Sequence, residues 1–144
     1  MLSAKNIISY KAPTNHLSDR VILITGAGDG IGKAAALACA KAGATVILAG
    51  RTTAKLEAVY TSILADNLAE PSIYPIDLEG ATEEDYLALS ASIEQQFGRL
   101  DGLLHNAGIL GQRTPLNNYS MELWNKVLQI NLKKNLFSVY SVTI

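Results

Sequence analysis

The apolar positions change their period along the chain. Residues 1–18 keep none, and Pro13, Asn15 and Ser18 punctuate an irregular lead-in. From Arg20 the pattern becomes regular. Val21-Ile22-Leu23-Ile24-Thr25 is apolar without alternation, rich in β-branched residues, and ended by Gly26. A short run that is apolar on both faces predicts a buried strand of the parallel kind. Residues 30–42 follow, with alanine at 34, 35, 36, 38, 40 and 42. Alanine is the best helix former, and its small side chain lets a helix approach a sheet closely. Gly43 is a natural stop for that helix. The alternation repeats. Residues 44–49 read as a second buried strand around Thr45-Val46-Ile47-Leu48. Thr53 is placed to cap the next helix, whose apolar positions Leu56, Val59, Tyr60, Ile63 and Leu64 form one stripe facing the core. Residues 72–77 make a weaker third strand, marked as an edge or bent strand by Pro71 and Pro75. Thr82 followed by Glu83, Glu84 and Asp85 predicts a helix start with acid in its first turn, running to about Phe97, with Gly98 as its end. Residues 100–105 are a fourth strand and 106–118 a loop rich in Gly, Pro and Asn; a last helix begins near Ser120 and runs towards the end. This β-α-β-α-β-α-β-α order predicts a doubly wound α/β fold, a parallel sheet between two layers of helices joined by right-handed crossovers.

Composition narrows the function classes. The 144 residues allow one domain, and 49% apolar content fits a packed core. A net charge of −1 with no Lys/Arg block argues against nucleic acid as a partner. A single cysteine, Cys39, allows no internal disulfide and suits a reducing compartment; it reads as a small core residue. The longest apolar run, Ala34–Ala40, is far shorter than the roughly 20 residues needed to span a bilayer. The stretch Met1–Ser9 lacks the apolar core of a signal peptide. A cytoplasmic protein without a membrane segment is therefore expected. His16, His105 and Cys39 show no zinc spacing, so no metal site is predicted. His105 reads as a packed strand-end residue, with contact to a ligand cleft as the alternative.

The chemistry concentrates where the first strand meets the first helix, in Thr25-Gly26-Ala27-Gly28-Asp29-Gly30-Ile31-Gly32. Glycine has no Cβ and tolerates positive φ, so backbone can press against a ligand. The helix that starts here turns unpaired N–H groups and a positive dipole end towards it, which suits a phosphate. Gly32-Lys33 matches the end of a Walker loop, but Ala27 and Ala34 stand where that loop needs Gly and a hydroxyl, which disfavours an NTPase. The pattern G-x-G-x-x-G also fails, because Ile31 stands at the third glycine. The spacing present is Gly26-x-x-x-Gly30-x-Gly32; a tight turn without a ligand is the bland alternative.

Thr25-Gly26 leading to Gly30-Ile31-Gly32, together with Asn106-Ala107-Gly108 after the fourth strand, resembles the short-chain dehydrogenase/reductase family. The resemblance covers residues 19–137, and Leu100-Asp101-Gly102 with His105–Gly108 looks closest to its bacterial YciK-type branch. It implies a Rossmann-type domain over residues 19–144, as the N-terminal part of an NAD(P)-binding fold. Thr25, Gly26, Gly28, Asp29, Gly30, Ile31 and Gly32 would line the phosphate site, with Asp29 pointing outward or capping the helix. Asn106, Ala107 and Gly108 would line the cleft. The resemblance sets Asp77, with Leu78 beside it, against the adenine ring; a polar turn residue is the alternative for Asp77. The second strand ends in Ala49-Gly50-Arg51-Thr52, with no carboxylate for a ribose 2′-hydroxyl. Arg51 offers a fork of donors suited to a 2′-phosphate, which favours NADP over NAD; a solvated surface arginine is the alternative.

The family's reaction is hydride transfer between a nicotinamide and a carbonyl or alcohol, with a tyrosine as general acid/base beside a lysine. Its Tyr-x-x-x-Lys signature is absent. Tyr10, Tyr60, Tyr74, Tyr86, Tyr119 and Tyr140 are followed four residues on by Thr14, Leu64, Leu78, Ser90, Leu123 and Ile144. Trp124, Val127, Leu128 and Asn131 fall at helical spacing, so Asn131 is expected on an apolar face, bonded to neighbouring backbone. The resemblance instead gives Asn131 the catalytic role of the family's helix asparagine, which helps hold a water linked to the lysine. Asn135 lies one turn further on. Ser138 and Tyr140 fall inside the expected helix and are assigned no catalytic role. The chain thus looks like the cofactor-binding half of an NADP-dependent oxidoreductase, truncated after the fourth strand and its helix. By itself it is expected to be inactive, marginally stable and open at the fourth-strand edge, with a homo-oligomer as the full-length form. A non-catalytic dinucleotide-binding sensor or scaffold is the other reading; a Tyr-x-x-x-Lys in the reading frame beyond Ile144 would separate the two.

Overall fold

Strands form where both faces of a short run are apolar, and helices form between them. The computed structural model describes residues 12–133. Residues 12–18 run through turns and lead into β1 (Val21–Thr25), α1 (Gly30–Lys41), β2 (Thr45–Gly50), α2 (Thr53–Ala65), β3 (Ser72–Pro75), α3 (Glu83–Phe97) and β4 (Gly102–Leu104). A short 3-10 turn (Leu116–Asn118) precedes α4 (Met121–Leu128), which widens into a π turn (Gln129–Lys133). The sheet order is β3-β2-β1-β4 and every pairing is parallel, with Leu23 opposite Ile47 on one side and Leu103 on the other. The expected doubly wound, Rossmann-type fold is present.

Alternate side chains of each strand point to opposite faces, and the core divides accordingly. Val21 and Leu23 of β1 with Ile47 and Ala49 of β2 pack on Tyr86, Leu89 and Ile93 of α3. Ile24, Val46 and Leu48 pack on Ala36 and Ala40 of α1 and on Leu56, Val59 and Ile63 of α2. Alanine on α1 is what brings that helix close to the sheet. Cys39 is half-buried against the same cluster, and burial pushes its thiol pKa up.

Several element ends differ from the pattern reading. The cap of α2 is Thr52, not Thr53, and it makes no side-chain cap hydrogen bond. On α2 only Leu56, Val59 and Ile63 are fully buried; Leu64 is 40% exposed, and Tyr60 is half-buried against the same cluster with its hydroxyl donating to Glu70. The strand β3 stops at Pro75 rather than Asp77, since the chain turns away after Ile76 N–H donates to Gly50 O at 3.0 Å. It is an edge, as the prolines predict. The strand β4 begins at Gly102 rather than Leu100, because Asp101 is a clamp. Its carboxylate accepts from Val21 N–H at 2.9 Å, Arg20 Nη1 at 2.7 Å and Arg99 Nε at 2.9 Å. The two guanidiniums and that N–H hold it well below the usual carboxylate range. Thr82 and Asp85 form a capping box on α3, and Gly98 closes that helix with φ 67°.

The last helix departs most. Ser120 caps it through Leu123 N–H, but α4 buries none of its residues. Trp124 is 44% exposed and meets Tyr119 edge-on at 6.1 Å, and Asn131 is exposed rather than set in an apolar face. The π turn breaks the 3.6-residue count on which that expectation rests, and Ile130 is the residue it buries. Asn135, Ser138 and Tyr140 lie outside the described residues. No helix among the described residues is long and apolar enough to cross a membrane, and none of their acidic, His or Cys side chains cluster to hold a metal.

Candidate cofactor site

A cavity of about 390 Å³ opens at the C-terminal ends of the parallel strands, where open α/β sheets bind ligands. The turn after β1 forms one wall through Thr25, Gly26, Gly28 and Asp29. The end of β2 and the start of α2 contribute Gly50, Arg51, Thr52 and Lys55. The turn after β3 adds Asp77, Leu78 and Glu79, and the segment after β4 adds Ala107, Gly108 and Ile109.

The glycine turn is held in place from behind. Thr25 is 5% exposed, and its hydroxyl oxygen accepts from Asn106 N–H and Ala107 N–H, both at 3.1 Å. The Asn106 carboxamide donates to Thr25 O at 3.1 Å and Gly26 O at 3.3 Å. These bonds tie the turn after β1 to the turn after β4. Gly26 has φ 67°, and a Cβ on it would meet Asn106 Nδ2 at 2.9 Å and Ala107 Cα at 3.0 Å. A Cβ on Gly32 would overlap the Gly26 carbonyl and Asn106 Nδ2. Side chains at 26 or 32 would therefore fill the space that lets α1 start directly against the sheet.

Asp29 both caps the helix and points outward. One carboxylate oxygen accepts from Gly30 N–H at 2.8 Å, and the other accepts from Lys55 Nζ at 2.6 Å. The Lys55 hydrogen bond, then the Gly30 N–H, hold its pKa below the ordinary value. Asp77 accepts from Glu79 N–H at 3.1 Å, so it is a turn residue and a cavity residue together. Glu79 pairs with Lys126 of α4 at 2.7 Å. Arg51 is exposed on the rim and makes no ion pair with any described residue.

The cavity thus gathers Thr25, Gly26, Gly28, Asp29, Arg51, Asp77, Leu78, Ala107 and Gly108 of the predicted residues. It leaves out Gly30, Ile31, Gly32 and Asn106. Gly32 and Asn106 act from behind the wall, and the Ile31 side chain is 78% exposed. Asn131 is also outside the wall: its carboxamide accepts from Ile109 N–H and donates to Ile109 O, both at 2.9 Å, and so fixes the loop after β4. His105 is half-buried beside the wall, with its imidazole pKa lowered by burial. Pattern reading missed Lys55. A lysine in the first turn of a helix sits against the positive end of the dipole, and that misplacement is a signal of an anion nearby.

A glycine turn at a helix start, a wall of small residues and a rim guanidinium without an ion pair among the described residues fit a dinucleotide carrying an extra phosphate. Comparison with known proteins agrees on the family. The short chain dehydrogenase family model matches residues 20–143. The uncharacterized oxidoreductase YciK of Escherichia coli K12 is 42% identical over 123 residues, which is 85% of this chain and 49% of that protein. A short chain dehydrogenase structure from Salmonella enterica serovar Typhi superimposes with a TM-score of 0.90 at 37% identity, covering 93% of this chain and 55% of that one. A structure of the same type from Shigella flexneri, solved with NADP, gives 0.88 at 39% identity over 91% and 55% of the two chains. The chain spans about half the length of the relatives it matches. Over that half, sequence and fold agree, and the chain belongs to the short chain dehydrogenase family.

Proposed function

We propose that this chain is the nucleotide-binding part of an NADP-dependent oxidoreductase acting on a small carbonyl or alcohol. Arg51 carries the reading. It stands where the second strand of such folds meets the adenosine ribose, on the cavity rim and without an ion-pair partner among the described residues. A carboxylate there would favour a ribose hydroxyl; a guanidinium favours a phosphate. The NADP bound to the Shigella relative supports the same choice. Bound NADPH would supply the hydride. The residues of this chain bind and orient: Gly26 and Gly28 of the turn after β1 let the pyrophosphate approach the backbone, Asp77 and Leu78 flank the adenine, and Ala107 and Gly108 let the dinucleotide lie flat on the strand ends. Asn131 positions Ile109 at the mouth of the cleft.

These 144 residues hold no Tyr-x-x-x-Lys, so we expect no turnover from this stretch alone. The acid/base pair, the substrate loops and a homo-oligomeric, cytoplasmic full-length form belong to the same proposal. Calorimetric titration with NADP and NAD tests it. Tighter binding of NADP, reduced to NAD-like affinity by Arg51→Met, is the expected result. Equal affinities in the unaltered protein would remove Arg51 from the site, and no binding of either would remove the reading.

A further inference from the structure

The rim of the cavity carries a second cation, Lys55. Lys55 is the third residue of α2. Its stem lies against the glycine turn, where a Cβ on Gly28 would come within 2.9 Å of Lys55 Cβ. Its ammonium reaches back to Asp29 Oδ2 at 2.6 Å. Both side chains are more than half exposed, and an exposed pair contributes little to stability. The arrangement is nevertheless tightly fixed, because the second Asp29 oxygen is held by Gly30 N–H. Asp29 is thus bonded through both carboxylate oxygens, and Lys55 lines the same cavity as Arg51 and Thr52.

Charge explains the pair better than stability does. A carboxylate at position 29 places negative charge on the lip of an anion site, beside backbone donors meant for a phosphate. Lys55 neutralises it. An ammonium has three donors, and Asp29 takes one. Lys55 lines the same rim as Thr52, which leaves the start of α2 without a side-chain cap, so the dipole end of a 13-residue helix adds to Arg51 and Lys55. A phosphomonoester dianion is the ligand chemistry that two cations and an open helix end match.

Resting on the proposed function, we infer that Lys55 shares the ribose 2′-phosphate with Arg51, and that Asp29 is the residue that positions it. Lys55 is then a specificity residue: it acts on NADP and leaves NAD almost untouched. Replacing it has two effects, since the cation goes and the Asp29 carboxylate is left bare beside the phosphate.

The test is a set of equilibrium titrations of NADP and NAD against Lys55→Met, Lys55→Arg and the double variant Lys55→Met/Asp29→Asn. Lys55→Met should weaken NADP binding about tenfold or more, the worth of one charge-assisted hydrogen bond, and change NAD binding by less than about twofold. Lys55→Arg should keep most of the preference. The double variant should recover about threefold or more of the NADP affinity lost in Lys55→Met, because the bare carboxylate is gone. Equal weakening of both nucleotides would make Lys55 a structural residue and overturn the inference, as would an unchanged ratio. No recovery in the double variant would remove Asp29 from it. If the unaltered protein binds NAD and NADP equally, or binds neither, the proposed function falls as well, and that outcome is separate from a lost effect at Lys55.

Discussion

One methyl group at position 32 sets two forces against each other. Gly32 is the third residue of α1, and helix propensity alone would favour Gly32→Ala by up to about 1 kcal/mol. The space says the opposite. The new Cβ would sit 2.8 Å from the Gly26 carbonyl carbon and nearer still to its oxygen and to Asn106 Nδ2, inside the 3.0 Å floor of real Cβ contacts. Neither neighbour can retreat. Gly26 is backed by Ala107, and its carbonyl accepts from Asn106. The start of α1 must therefore lift off the turn by roughly an ångström, and overpacking of this kind costs about 1–3 kcal/mol. With a backbone carbonyl oxygen as the nearest atom, the cost lies at the top of that range, so subtracting the propensity gain leaves a net loss of about 2 kcal/mol, or roughly 4–8 °C in melting temperature for a chain of this size. Because the lifted backbone is the cradle itself, NADP and NAD affinity should fall together. Differential scanning fluorimetry with nucleotide titration measures both. Gly30→Ala is the control: a Cβ there meets nothing within 4 Å, but φ is 50°, so it should cost only about 1 kcal/mol of backbone strain. If Gly32→Ala melts at or above the unaltered protein, the close-approach argument is wrong.

Two further outcomes follow from the bonds behind the wall. Thr25→Val keeps the shape of the side chain but strips the acceptor from Asn106 N–H and Ala107 N–H; urea unfolding should show a loss of about 2–3 kcal/mol, whereas Thr25→Ser, which keeps the hydroxyl, should lose only about 1 kcal/mol for its missing methyl. His105 has its imidazole pKa lowered from 6.5 by burial, so the unfolded chain binds the proton first. Stability is then complete above pH 6.5 and declines as pH falls through that value towards the folded one. His105→Asn should flatten the difference between urea midpoints taken at about pH 7.5 and about pH 5.5, and an unaltered slope would assign that pH dependence to another group.

How much of this was legible in the residues depended on range. Val21–Thr25 and Thr45–Gly50 announce buried strands because both faces are apolar, and the alanines of α1 announce a helix because no other element tolerates them so well. The glycine spacing located the turn that walls the cavity for the same reason: it is a local backbone requirement written in consecutive positions. What was not legible is pairing between side chains far apart in sequence. The Thr25–Asn106 clamp joins residues 81 apart, and the Asp29–Lys55 pair joins residues 26 apart. No periodicity encodes either. Asp101 shortened β4 by turning its carboxylate to Val21 N–H, and the expected apolar face of the last helix is not buried, so Asn131 stands exposed with its carboxamide on the Ile109 backbone.

The two ends of the cavity are consequently built by different physics. On the proposed reading, the pyrophosphate end depends on missing side chains and on backbone bonded from behind, so a substitution there should act by displacement and strike NAD and NADP alike. The ribose end would depend on exposed charges at the start of α2, so a substitution there should act through one phosphate and change the ratio of the two. Gly32 and Lys55 both crowd the same turn, one against its carbonyl and the other against its outer lip. If both variants changed the two affinities in parallel, the division would be false and the rim charges would be serving the fold. If Gly32→Ala lowered both while Lys55→Met altered only their ratio, cofactor choice would reside in side chains that can be exchanged without disturbing the cradle.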